Sequence, residues 1–499
     1  MALQENRCAA RGKFRKEQTG TNSCPAVKIL RMKQKNKEQY KRIISFFSTL
    51  LILGLLTLEF AFVWYVAYSD KLLLPFYRRG HWLMILVYAL LTLTVSQASG
   101  GYKIGYLKRS DVLYTQSIAS VIVNAITYAQ VCLIGRQLLS PIPLIILTGV
   151  DMILLAAWSY LSSCLYFRLY PPRKLIIVYG SKAAAQLVLK MSMRVDKYMI
   201  CESIDIAVGL DKIKEELARY EGVIICDISG ADRNDIVKYC FEESKRAYIS
   251  PKISDIILRG ADEIRLFDTP LLLCRNSGPS AEQRFAKRAM DLLICIPALV
   301  LFSPVMLACA IAIKAHDGGP VLYRQTRLTI GGREFEVMKF RSMVLDAEKD
   351  GKPRLATEDD DRITPVGRFL RKCRLDELPQ LINIIRGDMS IVGPRPERPE
   401  LTEEYSREIP EFRFRLKVKA GLTGYAQVTG VYDTSPFDKL KMDLMYIERY
   451  SILLDLRIML MTVKTMLLPG QTNEEQHIYS VVLPQQEETE SDTERKEET

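Results

Sequence analysis

The first third of the chain carries four long apolar runs separated by short polar loops. Each run is close to the roughly 17–25 residues that a helix needs to cross the hydrocarbon core of a bilayer. Trp64, Tyr65, Trp82 and Trp158 lie toward the ends of these runs, where interfacial aromatic residues are common. We therefore predict a membrane protein with four transmembrane helices within residues 43–168. The runs cover residues 43–67, 82–98, 112–134 and 142–167.

The distribution of charge predicts how these helices are oriented and what the protein meets. The arm at 1–42 is polar and basic, has no signal-peptide pattern, and the loop at 100–111 is basic as well. The positive-inside rule then places both termini in the cytoplasm. A net charge of +11 together with 48 % hydrophobic residues favours contact with a bilayer and with an anionic molecule. No zinc spacing or other nucleic-acid signature is present, so nucleic acid is not expected as a partner.

Residues 173–274 read as a small α/β domain. Residues 174–191, "KLIIVYGSKAAAQLVLKM", have the pattern of a strand, a turn and a helix, and two further strands are predicted at 222–230 and 246–253. Strands that alternate with helices favour a parallel sheet. The second and third glycines of the dinucleotide-binding fingerprint are missing after Gly180, so a structural or regulatory role is the default prediction.

A fifth apolar segment follows a predicted linker at 275–286. Residues 287–314 are long enough to cross a bilayer, but Pro304 follows Ser303 in mid-run, and an interior proline removes a helical hydrogen bond. A fifth crossing would also export the motif-rich region behind it. We therefore predict a re-entrant membrane helix that breaks at Ser303-Pro304 and returns to the same leaflet; the alternative is a kinked spanning helix. Residues 315–470 are soluble in character, and the acidic tail at 471–499 is predicted to be disordered.

The segment "LDELPQLINIIRGDMSIVGPRPE" at 375–397 contains two adjacent carboxylates, Asp376 and Glu377. One interpretation is local: Asp376 is the N-cap of a helix that ends before Gly387. The other interpretation is chemical. Paired carboxylates can bind Mg²⁺, which brings phosphate oxygens close, and one carboxylate can attack phosphorus to form an acyl phosphate.

Cations that could neutralise a phosphate surround these carboxylates in the sequence. Lys339 and Arg341 are two residues apart and would share a face of a strand, and Arg371 lies just upstream of the pair. Arg395 lies between two prolines, including Pro394, in a stiff segment that suits bidentate phosphate binding. The acidic triplet at 359–361 resembles a metal motif, although a solvated loop is the favoured interpretation.

Six motifs, in order, make residues 287–468 resemble the bacterial sugar transferase family of monotopic polyprenyl-phosphate sugar-1-phosphate transferases. Four membrane helices followed by a Rossmann-like α/β domain resemble its longer members, which transfer hexose-1-phosphate to undecaprenyl phosphate. The resemblance implies a mainly α-helical catalytic domain at 315–470. The motifs are "KRAMDLLICIPALVLFSPVMLACAIAIK", "GPVLYRQTR", "KFRSM", "DRITPVGRFLRK", "LDELPQLINIIRGDMSIVGPRPE" and "GLTGYAQVTG".

The resemblance also implies partners and roles. Asp376 would attack the β-phosphate of a UDP-sugar, and Glu377 would hold Mg²⁺ or help to deprotonate the acceptor, undecaprenyl phosphate. Arg395 would grip the nucleotide or its phosphates, and Lys339 and Arg341 the lipid phosphate or the substrate. Further substrate contacts are expected from Arg371, Pro394 and Gln380. The expected location is the bacterial inner membrane with the catalytic domain in the cytoplasm; the sugar and the oligomeric state, including a homodimer, are left open.

Three residues depart from the family pattern. Thr329 stands where a glycine is usual, Ala420 where a proline is usual, and Tyr425 where a tryptophan is usual. Two other classes of function stay open at this point. One is an inactive transferase-like scaffold or regulator of polysaccharide synthesis, and the other is a metal-dependent glycosyltransferase that uses the acidic triplet.

Overall fold

A computed structural model describes residues 25–72, 78–181, 184–192, 194–274, 278–344, 360, 362–430 and 434–467. The predicted N-terminal arm lies mostly outside these residues, and the acidic tail lies wholly outside them. The chain forms two compact units. One contains most of the residues before 165, and the other contains Leu165–Thr499 with two short pieces at 95–101 and 114–119.

Long helices follow the four predicted apolar runs. Among the described residues, five helices are long and apolar enough to cross a membrane, namely these four and one later helix. The chain is therefore a membrane protein. The number of helices that cross the bilayer stays a prediction. The first helix continues beyond Val63 as a π turn and a 3₁₀ turn that end at Lys71. The four helices are α1 (Pro25–Val63), α2 (Arg78–Ser99), α3 (Arg109–Gly135) and α4 (Ile142–Leu169).

Polar side chains connect three of these helices inside the first unit. Asp151 on α4 is fully buried and accepts hydrogen bonds from Ser120 (2.6 Å) and Asn124 (2.9 Å) on α3. Tyr88 on α2 donates its hydroxyl to Asn124 Oδ1 over 3.1 Å. Because a polar group left unpaired in hydrocarbon is costly, this network stabilises one arrangement of the helices.

The predicted α/β domain is present and its main sheet is parallel. Four strands lie in the order β2-β1-β3-β4, with β1 and β3 buried at the centre. Strand β2 was not predicted, because it is a half-exposed edge strand without a continuous apolar run. The elements are β1 (Arg173–Tyr179), α5 (Ala184–Ser192), β2 (Tyr198–Asp205), α6 (Leu210–Leu217), β3 (Gly222–Cys226), α7 (Gly230–Glu242), β4 (Arg246–Ile249), α8 (Ile253–Arg259) and an antiparallel hairpin of β5 (Asp262–Leu266) and β6 (Thr269–Leu273).

Helix α9 (Ala281–Asp317) corrects two sequence predictions. It begins within the predicted linker, where the Ser280 side chain caps it. It also continues through Ser303 and Pro304, so the predicted break does not interrupt the helix; the Ser303 hydroxyl donates to the carbonyl of Val300 over 2.7 Å. One proline removes a single donor, and the surrounding helical bonds are enough to carry the helix past it. The re-entrant path stays a prediction.

The C-terminal domain packs against both halves of α9. Cys295 joins its main core, while Cys309 and Ile313 join a smaller core near the other end of the helix. The α/β domain also contacts it, since Ile256 of α8 lies in the main core. The domain contains the antiparallel pair β7 (Leu322–Leu328) and β8 (Glu334–Phe340), α10 (Pro365–Lys372), α11 (Gln380–Arg386), β9 (Ser390–Val392), α12 (Pro399–Glu408), β10 (Gly421–Thr423) parallel to β9, α13 (Tyr425–Thr429), α14 (Pro436–Glu448) and α15 (Ile452–Leu467).

Candidate active site

The two adjacent carboxylates lie on a 3₁₀ turn at Leu375–Glu377, not at the start of an α-helix. Pro379 has no N–H to donate to the carbonyl of Leu375, and the amide of Leu378 bonds that carbonyl instead, over 3.2 Å. Helix α11 therefore begins only at Gln380. The interpretation of Asp376 as a helix N-cap is wrong, whereas the predicted stop at Gly387 is confirmed by its left-handed backbone (φ +94°).

Cations hold Glu377 in its ionised form. Lys339 Nζ lies 3.1 Å from Glu377 Oε1. Burial alone would raise the pKa of Glu377, but the positive charges of Lys339, Arg395 and Arg374 outweigh it and hold the pKa below its ordinary value. The structure thus places Lys339 in contact with Glu377 and Arg395 near enough to lower the pKa of Glu377, while their roles stay predictions.

The neighbouring carboxyl behaves in the opposite way. Asp376 is 8 % exposed, and burial, followed by the negative charge of Glu377, raises its pKa. Lys339, Arg371 and Arg374 oppose that shift. Two adjacent carboxyls whose environments separate their pKa values are typical of sites where the two groups have different chemical tasks.

Arg395 lies in a loop whose backbone carbonyls accept hydrogen bonds from neighbouring segments. Its side chain is exposed, while its carbonyl accepts a hydrogen bond of 3.0 Å from the buried Arg415. The carbonyl of Pro394 accepts a bond of 2.9 Å from the amide of Gly421. A Cβ atom at Gly393 would collide with the carbonyl of Lys419, so the loop and the segment before β10 approach each other only because Gly393 has no side chain.

A buried ion network supports this loop, and sequence reasoning missed it. Arg415 Nη2 lies 2.9 Å from Asp443 on α14, and Nη1 lies 3.5 Å from Glu397. Arg327 donates to the carbonyl of Pro396 over 3.1 Å. Asp443 is spaced so that it shares a helix face with the core residue Leu440. A charged residue on such an apolar face is the sequence feature that could have indicated a buried ion pair.

The remaining predicted residues have surroundings of their own. Arg341 lies one residue beyond β8, is buried, and forms an ion pair with Asp317 at the end of α9. Gln380 is buried at the first position of α11. In the acidic triplet, Asp360 pairs with Arg362 at 2.6 Å, and this contact lowers its pKa to about 2; Asp359 and Asp361 lie outside the described residues.

The donor set at the pair fits Mg²⁺ in its chemistry. This ion prefers oxygen ligands and commonly binds through one or two carboxylates, with waters and substrate phosphates completing its shell. Asp376 and Glu377 offer two carboxylates on one turn, and Glu377 is held ionised. Among the residues that the structure describes, no group of three or more His, Cys, Asp or Glu side chains could hold a metal alone. Waters or substrate oxygens would therefore have to complete the shell.

Comparisons with known proteins identify the family of the segment that carries this site. A family model described as "Bacterial sugar transferase" matches residues 282–469. Over 192 residues the chain is 43 % identical to a UDP-N-acetylgalactosamine-undecaprenyl-phosphate N-acetylgalactosaminephosphotransferase of Aeromonas hydrophila, a match that covers 38 % of this chain and 45 % of that protein. It is 41 % identical over 211 residues to a UDP-glucose:undecaprenyl-phosphate glucose-1-phosphate transferase of Escherichia coli, which covers 41 % of this chain and 44 % of the relative.

The matches thus span about half the length of these two relatives. A protein of Caulobacter vibrioides with the same name as the E. coli relative is covered more fully. It is 41 % identical over 207 residues, which are 40 % of this chain and 77 % of that protein. Together with the family match over the segment that carries Asp376, Glu377 and Arg395, this shows that the chain belongs to the bacterial sugar transferase family.

Proposed function

We propose that the protein transfers a sugar-1-phosphate from a UDP-sugar to undecaprenyl phosphate and releases UMP. The observation that carries the proposal is the carboxyl pair of Asp376 and Glu377, with opposite pKa shifts, set among Lys339, Arg371, Arg374 and Arg395. Such a site offers a nucleophile and the positive charge that a diphosphate requires. The names of the A. hydrophila and E. coli relatives describe transfer to undecaprenyl phosphate, which supports this choice of acceptor.

The reaction proceeds in two displacements at one phosphorus atom. A carboxylate oxygen of Asp376 attacks the β-phosphorus, and the bond to the oxygen that bridges the two phosphorus atoms breaks. That oxygen leaves with its electron pair as part of UMP, and the sugar phosphate stays on Asp376 as an acyl phosphate. A phosphate oxygen of undecaprenyl phosphate then attacks the same phosphorus, which frees Asp376 and forms undecaprenyl diphosphate-sugar.

The surrounding side chains have distinct tasks in these steps. Asp376 must ionise to attack, and the neighbouring cations oppose the raised pKa of its buried carboxyl. Glu377 stays ionised and, with Asp376, would hold Mg²⁺, which when bound supplies charge neutralisation for the diphosphate. Arg395 on its fixed loop binds the phosphates of the donor, and Lys339 balances the charge of Glu377.

The contacts of α9 support a re-entrant path in the cytoplasmic leaflet. Near its start, Lys287 pairs with Asp455 at 2.6 Å, and at its end Asp317 pairs with Arg341, so both ends bind the same domain. A helix with its ends on opposite sides of a bilayer could not do so. Apolar side chains along its length, such as Val300 and Leu301, are exposed and available to lipid. The site then faces the cytoplasm at the inner membrane, where a soluble donor meets a lipid acceptor and a polysaccharide, such as a capsule, is begun.

Product analysis tests the reaction class. Membranes that contain the protein are incubated with undecaprenyl phosphate, Mg²⁺ and a panel of UDP-sugars, and the nucleotide and the lipid product are identified by mass spectrometry. We expect UMP and a lipid diphosphate-sugar, with UDP-glucose or UDP-galactose as the first donors to test. Release of UDP would indicate direct sugar transfer instead. Release of no nucleotide with any donor would favour a scaffold.

A substitution tests the nucleophile. Asp376→Asn keeps the size of the side chain but removes the attacking carboxylate, so it should abolish both UMP release and the phosphosugar adduct on the protein. Intact-mass measurement after donor addition detects the adduct. The exposed Glu403→Gln serves as the matched control and should behave as the unmodified protein. Near-normal turnover of Asp376→Asn would exclude the nucleophilic role.

A further inference from the structure

Two of the three departures from the family pattern, Thr329 and Ala420, are in direct contact. Thr329 is 1 % exposed and follows β7 at the turn of the β7–β8 hairpin. Its hydroxyl donates to the carbonyl of Asp388 over 2.8 Å and accepts from the amide of Ala420 over 3.3 Å. The two positions are 91 residues apart in the chain, so this contact exists only in the folded domain.

The two residues complement each other chemically. A proline at 420 would have no N–H, and a glycine at 329 would have no hydroxyl, so the usual pair cannot form this hydrogen bond. In this chain Ala420 brings a buried N–H that requires an acceptor, and Thr329 supplies that acceptor. The two departures therefore supply the donor and the acceptor of one hydrogen bond.

This contact lies beside the loop that carries Arg395. Ala420 accepts a bond of 2.9 Å from Ser390 in β9, and the next residue, Gly421, donates to Pro394. The hairpin held by Thr329 also carries Lys339, the partner of Glu377. A small open recess lies at the junction, and its walls include Thr329, Pro394, Arg395, Glu397, Arg415 and Ala420.

We propose that Thr329 and Ala420 are a coupled pair of positioning residues that fixes the Arg395 loop for the donor phosphates. This inference rests on the proposed function. Loss of the hydroxyl leaves the amide of Ala420 and the carbonyl of Asp388 without their partner in a buried site, and the segment behind Arg395 loosens. The acceptor side of the reaction does not depend on that contact.

Substitution of Thr329 and Ala420 by the residues usual in the family should change activity in a specific pattern. In Ala420→Pro the ring carbon on the backbone nitrogen takes the place of the amide hydrogen, where the Thr329 hydroxyl lies. This single change should therefore clash and reduce activity strongly. The double variant Thr329→Gly with Ala420→Pro removes both the hydroxyl and the N–H, and should recover most of the lost activity.

Steady-state kinetics with the full-length protein in membranes test the proposal. Thr329→Val keeps the shape of the side chain but loses the hydroxyl, and we expect the KM for the UDP-sugar to rise about tenfold, as for the loss of a buried hydrogen bond. The kcat and the KM for undecaprenyl phosphate should stay within about twofold. Thr329→Ser should restore the donor KM. Thr326→Val, an exposed change on the same hairpin, is the control.

Other outcomes have defined meanings. An unchanged donor KM in Thr329→Val, or a fall in kcat alone, would overturn the positioning role, because a purely structural defect reduces the amount of active protein without changing the KM. Failure of the double variant to recover activity would overturn the coupling. If the unmodified protein releases no UMP, the proposed function has failed, and the affinity for UDP, measured by calorimetry, provides the same comparison between variants without turnover.

Discussion

Two neighbouring carboxyl groups on one 3₁₀ turn experience opposite electrostatic environments. Asp376 is buried beside a negative charge, and its pKa is raised. Glu377 is partly buried, but its contact with Lys339 and the charges of Arg395 and Arg374 lower its pKa. The difference arises because Glu377 has the direct contact with Lys339, whereas burial and the charge of Glu377 dominate at Asp376. It supports different roles for the two groups, one as nucleophile and one as the partner that stays ionised to lower pH.

Removal of the lysine tests this arrangement at the residue scale. Lys339→Met keeps most of the length of the side chain and deletes its charge, so the pKa of Glu377 should rise. Ionised Glu377 is then lost at a higher pH, and the acid limb of kcat/KM should shift to higher pH, with lower activity near neutrality. A pH profile of UMP release measures the shift, and the exposed Lys372→Met on α10 is the control. An acid limb that does not move would mean that Lys339 does not control Glu377.

At the scale of elements, helix α14 supports the Arg395 loop from a distance. Its buried Asp443 pairs with Arg415, which in turn holds the carbonyl of Arg395. Burial raises the pKa of Asp443 to about 6, although the charge of Arg415 opposes the shift. The same helix contacts the α/β domain, where Lys190 lies 3.5 Å from Asp438. One helix thus joins a support of the site to the neighbouring domain.

The sign of the pH dependence follows from that raised pKa. The folded protein holds the proton of Asp443 more tightly than the unfolded chain, so this group contributes stability at acid pH that is lost as the pH rises from 3.8 through about 6. In Asp443→Asn this part of the slope should disappear. The variant should also be less stable near neutral pH, by about 3 kcal/mol, because Arg415 loses a buried partner.

Denaturant unfolding of the solubilised protein across this pH window measures both effects. Asp438→Asn lies on the same helix but changes a side chain that is 36 % exposed, and should leave the slope as it is. If Asp443→Asn and the unmodified protein showed the same slope, Asp443 would have an ordinary pKa in the folded state.

At the scale of the whole molecule, α9 connects a long apolar surface to the site. The helix is 37 residues long, mostly apolar, and continuous through both of its prolines. Contacts at its two ends attach it to one domain, since Arg288 donates to the carbonyls of Ile384 and Ile385 and Asp317 pairs with Arg341. The end of α11 is therefore anchored to α9. This connection would keep the site close to a lipid headgroup.

Labelling from one side of the membrane tests the path of α9. In a background that lacks reactive native cysteines, Gln283→Cys and His316→Cys flank the apolar segment. With a re-entrant helix, both should react with a membrane-impermeant maleimide only when the cytoplasmic face is accessible. Gln137→Cys, in the loop between α3 and α4, should react only from the opposite face. Reaction of the two flanking positions from opposite faces would establish a spanning helix.

The sequence by itself determined the features that depend on neighbouring residues. Runs of about 20 apolar residues predict membrane helices because a bilayer has a fixed thickness. The stop of α11 at Gly387 and the central strands of the parallel sheet follow from local backbone preferences and continuous burial. Asp376 and Glu377 could be named because they are adjacent, and Arg395 because prolines flank it.

The tertiary structure alone decided the contacts between distant parts of the chain. Strand β2 becomes a strand by pairing with β1, and its own residues are too exposed to predict that. Arg415 resembles a surface residue in the sequence, yet Asp443 and Glu397 hold it in the interior. The bond between Thr329 and Ala420 is the clearest case. Each residue alone is only a departure from the usual residue at its position. Folding makes the two depend on each other, because it brings the amide of Ala420 and the hydroxyl of Thr329 together in the protein interior.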